Sequence, residues 1–456
     1  MIAVNLPNYF IADLPADAVL TPEMLSEACR TLRRNREQYL AARSTESLIE
    51  LLSAVALNWL NPGYTFRKLA LEHGPAATGF SRETLSNGLD QFFRQLTPEN
   101  FSTLLTQDLG HTQRLEKFVA TVAEERQSRR SIACAPELLV QIAAGNLPNP
   151  SFMSLALGIL LRSAQVMKCA SGGAFLPRLF AHSIYDEDRK LGACLEVAEW
   201  HGGNTALEDV LFADADCVTA TGSDEALAAI RQRVPARARF VGYGHRVSFA
   251  FVAKDALTSY NSRRVISRAA NDVVAWNQLG CLSPHAVYVE NGGTLDAEGF
   301  AEALAQELAE REAVEPRGSV PNEAAAQIAS RRAFYEVRAA HSPDTRLWTS
   351  EQSTAWTVVY ESGAKFPHSC LNRFIYVKGV PDLKAVIEGA DTVRKQVSTV
   401  GIAASEARSM ALATEFARWG ATRICPIGEM QNPPLTWRHD GRPALGDLIR
   451  WTDWEG

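Results

Sequence analysis

The stretch NQLGCLSPHAVYVE, Asn277 to Glu290, holds a cysteine in a setting that admits two kinds of chemistry. Gly280 leaves room beside Cys281, a helix-like run has just ended, and Ser283-Pro284 turns the chain before an apolar strand. A buried thiol is a small inert hydrophobe. An accessible thiolate attacks carbonyl carbon and can later leave again as thiolate. The cysteines at 29, 134, 169, 194, 217, 370 and 425 read as packing. Lys168 ends the apolar run QVMK, either as a solvated lysine or as a ligand-binding cation. Thr221-Gly222-Ser223 opens a helix, where Ser223 is a plain N-cap or the free N–H groups and positive helix end hold a pyrophosphate. Asn146, in Gly145-Asn146-Leu147-Pro148, is a turn residue or a functional amide. GYGH at Gly242–His245 lacks the third glycine of a dinucleotide fingerprint, and no helix follows it at once. His245, with Arg246 beside it, and His285 are structural histidines or groups that orient a phosphate or protonate a leaving thiolate; neither receives a role.

These residues need elements to hold them, and 456 residues suffice for two or three domains. No apolar run approaches the ~20 residues of a bilayer span. The N-terminus MIAVNLPNYFIADLPADAV lacks the basic start, apolar core and cleavage site of a secretory leader. The cytoplasm is the expected compartment. The cysteines are dispersed without C-x-x-C or Cys/His spacing, which predicts reduced thiols and no structural metal. A net charge of -6 with scattered basic residues gives no nucleic-acid footprint, so a small molecule is the expected partner.

Residues 1–130 read as a helical N-terminal region. PEMLSEACRTLRRNREQYLAAR, STESLIELLSAVALNWL, SRETLSNGLDQFFRQL and LEKFVATVAEERQSRR repeat apolar residues at three- and four-residue spacing, several behind Ser or Thr with Glu three places on. Short strands then alternate with helices: ELLVQIAAGN, QVMKCA, DCVTATG and RFVGYG as strands, SFMSLALGILLRSA, FLPRLFAHSI, KLGACLEVAEW and DEALAAIRQRV as helices. This alternation predicts a parallel sheet that binds ligands beyond its carboxyl ends. The expected α/β layout is a Rossmann-like cofactor domain over 131–255, a catalytic domain with Cys281 over 256–403, and a segment over 404–456 returning to the cofactor domain. EAVEPRGSVPNEA is the one linker-like stretch.

Taken in order, GNLPNP, VMKCAS, TGSDEA and NQLGC resemble the aldehyde dehydrogenase superfamily. The helical N-terminal layer, AAGNLPNPSFMSLALGILLRSAQVMKCAS and the ending GDLIRWTDWE look most like the bacterial acyl-CoA reductases, the fatty acid reductases that supply aldehyde to bioluminescence and their relatives. The resemblance implies Cys281 as nucleophile and Asn146 as donor to the oxyanion. It places Lys168 against an adenosine ribose, Thr221, Gly222 and Ser223 under a pyrophosphate, and Gly244 among the cofactor contacts. Ser171 stands where superfamily members often carry a ribose-binding glutamate, which leans towards NADPH because a carboxylate would repel a 2′-phosphate. Gly242 aligns with the glutamate that activates water in hydrolytic members; its loss favours thiol exchange over acid formation.

The implied function is NADPH-dependent reduction of an acyl thioester, on CoA or a carrier protein, to an aldehyde through an S-acyl cysteine. The resemblance also implies a homo-oligomer working with an acyl-activating or acyl-transferring enzyme. Two alternatives stay open: a CoA-acylating aldehyde dehydrogenase for short aldehydes, and a non-catalytic subunit that binds nucleotide or a partner.

Overall fold

A computed structural model describes residues 6–15 and 17–456; residues 1–5, part of the stretch read against a leader, lie outside them. The chain divides into two compact units. The first holds the residues up to Thr78, Leu89–Gly244 and Pro434–Gly456, and the second holds Gly79–Gly88 and His245–Pro433. No helix among the described residues is long and apolar enough to cross a membrane.

In the first unit, hydroxyl residues start the helices. Thr21 caps Pro22–Tyr39 and Ser44 caps Thr45–Leu60, each accepting a backbone N–H that the first turn cannot satisfy. Leu25, Cys29 and Leu32 recur at helical spacing and pack with Leu138, Val140, Val166 and Leu211. The expected helix through residue 130 stops early. Thr121 and Glu124 form a capping box around one turn, Ser128 takes a left-handed φ of 53°, and β1 (Arg129–Cys134) pairs antiparallel with the terminal strand Arg450–Glu455.

The sheet of this unit is parallel: β2 (Leu138–Ile142), β3 (Ala164–Cys169), β4 (Leu195–Glu199), β5 (Cys217–Thr221) and β6 (Arg239–Tyr243), in the order β4-β3-β2-β5-β6. KLGACLEVAEW, expected as a helix, supplies β4. Only Arg189–Gly192 is helical, because LEVAE buries Leu195, Val197 and Ala198 beside β3. The order reverses between β2 and β5, so their carboxyl ends open a crevice of the kind that takes ligands in doubly wound sheets.

The second unit is built on seven strands: β7 (Val247–Val252), β8 (Pro284–Glu290), β9 (Thr345–Thr349), β10 (Thr357–Ser362), β11 (Phe374–Val380), β12 (Val397–Ala403) and β13 (Arg423–Pro426). Their order is β13-β12-β7-β8-β11-β10-β9, and only β9 runs antiparallel to its neighbour. β7, β8, β11 and β12 are buried along their whole length, as strands covered on both faces must be. The cofactor domain expected to reach residue 255 ends earlier, since β7 belongs to this sheet, and the residues from 404 through β13 belong to this second unit. The linker-like stretch is also held: Gly318, at φ +85°, bridges to Phe80, and Arg317 within it is buried.

Candidate active site

Cys281 follows a sharp stop. The helix Ser262–Val274 ends, and Trp276, Asn277 and Gln278 take φ values of 51°, 52° and 64°. Three consecutive non-glycine residues in the left-handed region each cost about 1 kcal/mol or more, so surrounding bonds must hold them. The Trp276 ring lies where residue 88 has no side chain, edge-on to Phe80 at 5.3 Å. Asn277 Nδ2 donates to Arg317 O at 2.7 Å, and its Oδ1 accepts from Arg373 Nε at 3.2 Å. Gln278 Nε2 donates to the carbonyls of Pro284 at 2.7 Å and Phe374 at 3.0 Å.

A second left-handed run lies opposite the first: Leu371, Asn372 and Arg373 at 59°, 56° and 65°. Arg373 is almost wholly buried and donates to Glu312 Oε2 and Glu315 O, both at 2.8 Å. Burial lowers its guanidinium pKa to about 10, with Glu312 and Glu315 pulling it back up. The chain that looked like a linker thus anchors both turns.

Cys281 is half-buried at the end of this scaffold. Ser248 Oγ donates to Cys281 O at 2.8 Å, while Ser283 N–H closes the turn onto Gly280 O at 2.9 Å. Gly280 is required here, because a Cβ would come within 2.6 Å of Gln431 Nε2. Burial pushes the thiols of Cys29, Cys169, Cys194, Cys217 and Cys425 up to about 12, and that of Cys370 upward, so these six stay protonated packing groups.

Arg423, at the start of β13, sits among Cys425, Asp272, Glu429 and Cys281. Burial lowers its pKa, and the anionic forms of those four groups oppose the shift, so a Cys281 thiolate and the guanidinium attract. Arg423 donates to Met430 O at 2.6 Å and Glu429 O at 2.8 Å, whereas Met430 N–H donates to Asp272 at 2.9 Å. No local sequence pattern marks Arg423 or Arg373, since each reaches the cysteine turn only through the sheet.

The cofactor candidates lie at the carboxyl edge of the first unit's parallel sheet. Asn146 is exposed in the loop after β2. That loop approaches the loop after β3 so closely that a Cβ on Gly145 would lie 3.0 Å from Ala170 Cβ. Lys168 is buried, and burial lowers its pKa against the pull of Glu208 and Glu199. Among the described residues its ammonium has no hydrogen bond or ion pair, only the Trp200 ring at 5.7 Å. An ammonium on a mostly buried side chain, without a protein acceptor, fits a ligand rich in oxygen, such as a ribose or a phosphate.

Ser171 is exposed, and beside it Glu199 accepts from Gly172 N–H at 2.7 Å and Ala174 N–H at 3.1 Å. The reading of β4 as a helix hid this carboxylate; as a strand-end residue it belongs to the same edge as Lys168. Ser223 caps the helix Asp224–Arg233 by accepting Ala226 N–H at 3.3 Å, and Asp224 and Glu225 occupy its first turn. Those two acids weaken the helix end as an anion site. Gly222 N–H donates to Tyr243 O at 3.2 Å, and Gly244 is hemmed in by the Asp224 carboxylate, so both have structural partners as well.

His285, at the start of β8, is buried, and burial drives its pKa down to about 3, with His368 and His245 adding to the effect. Ser369 N–H donates to its Nδ1 at 3.1 Å, so the neutral ring carries its proton on Nε2. The His368 ring stands edge-on to it at 6.1 Å.

A family model described as acyl-CoA reductase (LuxC) matches residues 40–451. A long-chain acyl-protein thioester reductase from Aliivibrio fischeri is 23% identical over 418 residues, covering 90% of this chain and 82% of that protein. The long-chain acyl-protein thioester reductase 2 of Photobacterium leiognathi is 26% identical over 322 residues, 69% of this chain and 63% of that protein's length. Among solved structures, an NADP-dependent glyceraldehyde-3-phosphate dehydrogenase from Bacillus halodurans superposes with a TM-score of 0.70 at 12% identity, over 96% of this chain and 92% of that one. An NAD-dependent benzaldehyde dehydrogenase from Corynebacterium glutamicum gives 0.69 at 12% identity, over 98% and 94%. The fold is that of the aldehyde dehydrogenases.

Proposed function

Because the chain belongs to the acyl-CoA reductase (LuxC) family, we propose that it is an oxidoreductase that reduces an acyl thioester to an aldehyde through an S-acyl intermediate on Cys281. The observation that carries this reading is the cysteine turn: a half-buried cysteine beyond a left-handed run, near the charge of Arg423, while six other thiols are pushed up by burial.

In this reading the Cys281 sulfur bonds to the acyl carbon, and the bond from that carbon to the carrier sulfur breaks. The space beside Gly280, expected to be open, is filled by the Gln431 amide. The Cys281 N–H is a donor proposed for the oxygen that becomes an oxyanion, and the family resemblance gives the same part to the Asn146 amide; one such donor is worth roughly 3–4 kcal/mol in the transition state. A reduced nicotinamide dinucleotide, when bound, supplies the hydride. Lys168 would hold its adenosine ribose, and the loop from Thr221 to Ser223 would lie under its pyrophosphate. Ser171 offers a hydroxyl to a 2′-phosphate, and both Glu199 oxygens are already taken by N–H groups, so NADPH is the proposed cofactor. Gly242 offers no base to activate water, so the acyl group waits for hydride or thiol.

The substrate class is a long-chain acyl group on CoA or on a protein thiol, in line with the names of the relatives. Absorbance at 340 nm tests it: NADPH mixed with the chain and a panel of acyl-CoA and acyl-protein thioesters loses absorbance with the true substrates. Cys281→Ala should abolish that loss while leaving NADPH binding intact. Silence across the panel would sink the reading.

A further inference from the structure

We propose that His368 carries the proton for thiol exchange at Cys281, with His285 as the positioning residue beside it; this rests on the reading of Cys281 as the acylated nucleophile. Strands β7, β8 and β11 are neighbours and parallel, so the segments that enter them share one edge of the sheet. His245 enters β7, Cys281 enters β8, and His368 lies in the segment that enters β11. The last two segments are joined. Gln278, three residues before Cys281, and the Ser369 hydroxyl both donate to the Phe374 carbonyl, while Ser369 N–H donates to His285 Nδ1. The loop bearing His368 is therefore fixed to the turn bearing Cys281 by two bonds on one carbonyl and to His285 by a third. Phe366 packs its ring 5.9 Å from His285 and 5.4 Å from His368, completing the support.

The two rings differ in what they can do. His285 is buried and pinned at Nδ1, so it stays neutral and serves as a wall. His368 is exposed and can exchange protons with water. The titratable groups facing it are His285 from β8 and His245 ahead of β7, and no carboxylate pairs with it among the described residues. Burial and His245 both hold its pKa below the ordinary value, which makes it a neutral base near pH 7.

Thiol exchange needs such a group. A Cys281 thiol must lose its proton to attack, the carrier sulfur leaves faster as a thiol than as an alkyl thiolate, and backbone N–H groups at the turn transfer no proton. The neutral imidazole of His368 accepts the proton of Cys281 as sulfur bonds to the acyl carbon. It returns that proton to the carrier sulfur as the carbon–sulfur bond breaks and the electron pair leaves with the carrier; nothing is oxidised or reduced. After hydride delivery and collapse to aldehyde, the expelled Cys281 thiolate takes its proton back through the same ring, which is recharged from water.

The test is the rate of Cys281 acylation without cofactor, followed by rapid quenching and mass spectrometry from pH 5.5 to 9. Two acyl donors are used: decanoyl-CoA, and the decanoyl thioester of 4-nitrothiophenol, whose thiolate leaves without a proton. His368→Gln should slow acylation by decanoyl-CoA about 100-fold, the usual scale of a lost acid–base group. It should also erase the acid limb of the pH profile and lose less with the nitrothiophenyl ester, because that donor needs no proton on its leaving sulfur while Cys281 still lacks its base. His285→Gln should move the acid limb without erasing it. His368→Gln acylated by decanoyl-CoA at the unmodified rate overturns the proposal, and so does an equal loss with both donors, which would deny His368 any part in protonating the carrier sulfur. Failure of the unmodified chain to form any adduct on Cys281 overturns instead the reading on which the proposal rests.

Discussion

At the scale of single residues, the account turns on charge around one thiol. Arg423→Gln removes the cation that a Cys281 thiolate feels, so the midpoint for alkylation of Cys281 by iodoacetamide should rise by about one pH unit. An unchanged midpoint would show that the thiolate is stabilised by other groups. Ser171→Glu should lower the preference for NADPH over NADH by at least about tenfold, the effect of roughly 1.4 kcal/mol of repulsion. Equal efficiency with both cofactors in the unmodified chain would refute the part given to Ser171. Gly242 is not in the left-handed region, but a side chain there would meet the Phe240 ring at 3.0 Å and Leu227 at 3.3 Å. The cleaner trial of its role is the unmodified chain, whose acyl adduct should outlast minutes in water and yield to added CoA. Cys281, Asn146 and Lys168 could be nominated from the sequence because their short motifs follow in order, and their roles stand as proposals. Arg423 was not, because it reaches the thiol only through the pairing of β13 with β12.

At the scale of elements, the two left-handed runs form one device. Asn277 and Gln278 bond to Arg317, Arg373 and Phe374, and Arg373 is neutralised by Glu312. Glu312→Ala would strand a buried guanidinium, at a cost of roughly 3 kcal/mol or more in urea unfolding, whereas Glu312→Gln should cost less. A loss below about 1 kcal/mol would mean that Glu315 O suffices for Arg373. Most strands and helices were readable from their periodicity, but β1, β4, β7, β9, the terminal strand and this device were not. Runs of left-handed Trp, Asn, Gln, Leu and Arg carry no sequence signature, since such conformations are imposed by tertiary bonds rather than preferred. For the same reason KLGACLEVAEW looked helical, although the neighbouring strand makes LEVAE a strand and brings Glu199 to the Lys168 edge.

At the scale of the whole molecule, two buried carboxyls set how stability varies with pH. Burial raises Asp272 to about 7 and Glu196 to about 8. Carboxyls in the unfolded chain titrate near 4. Between pH 5 and 7 the folded chain thus holds more protons than the unfolded one, and stability falls as pH rises. Asp272→Asn with Glu196→Gln should flatten that fall in denaturant melts. His285, held neutral to about 3, acts with the opposite sign below pH 6.5 and cancels in the comparison. The central claim is that this family member carries its acyl group on Cys281, and the most direct measurement mixes the chain with acyl-CoA, omits cofactor, and reads intact and peptide masses. We expect one added acyl group, on the peptide containing Cys281, that disappears when NADPH is supplied. An adduct on another cysteine, or none with any acyl thioester, would contradict the account.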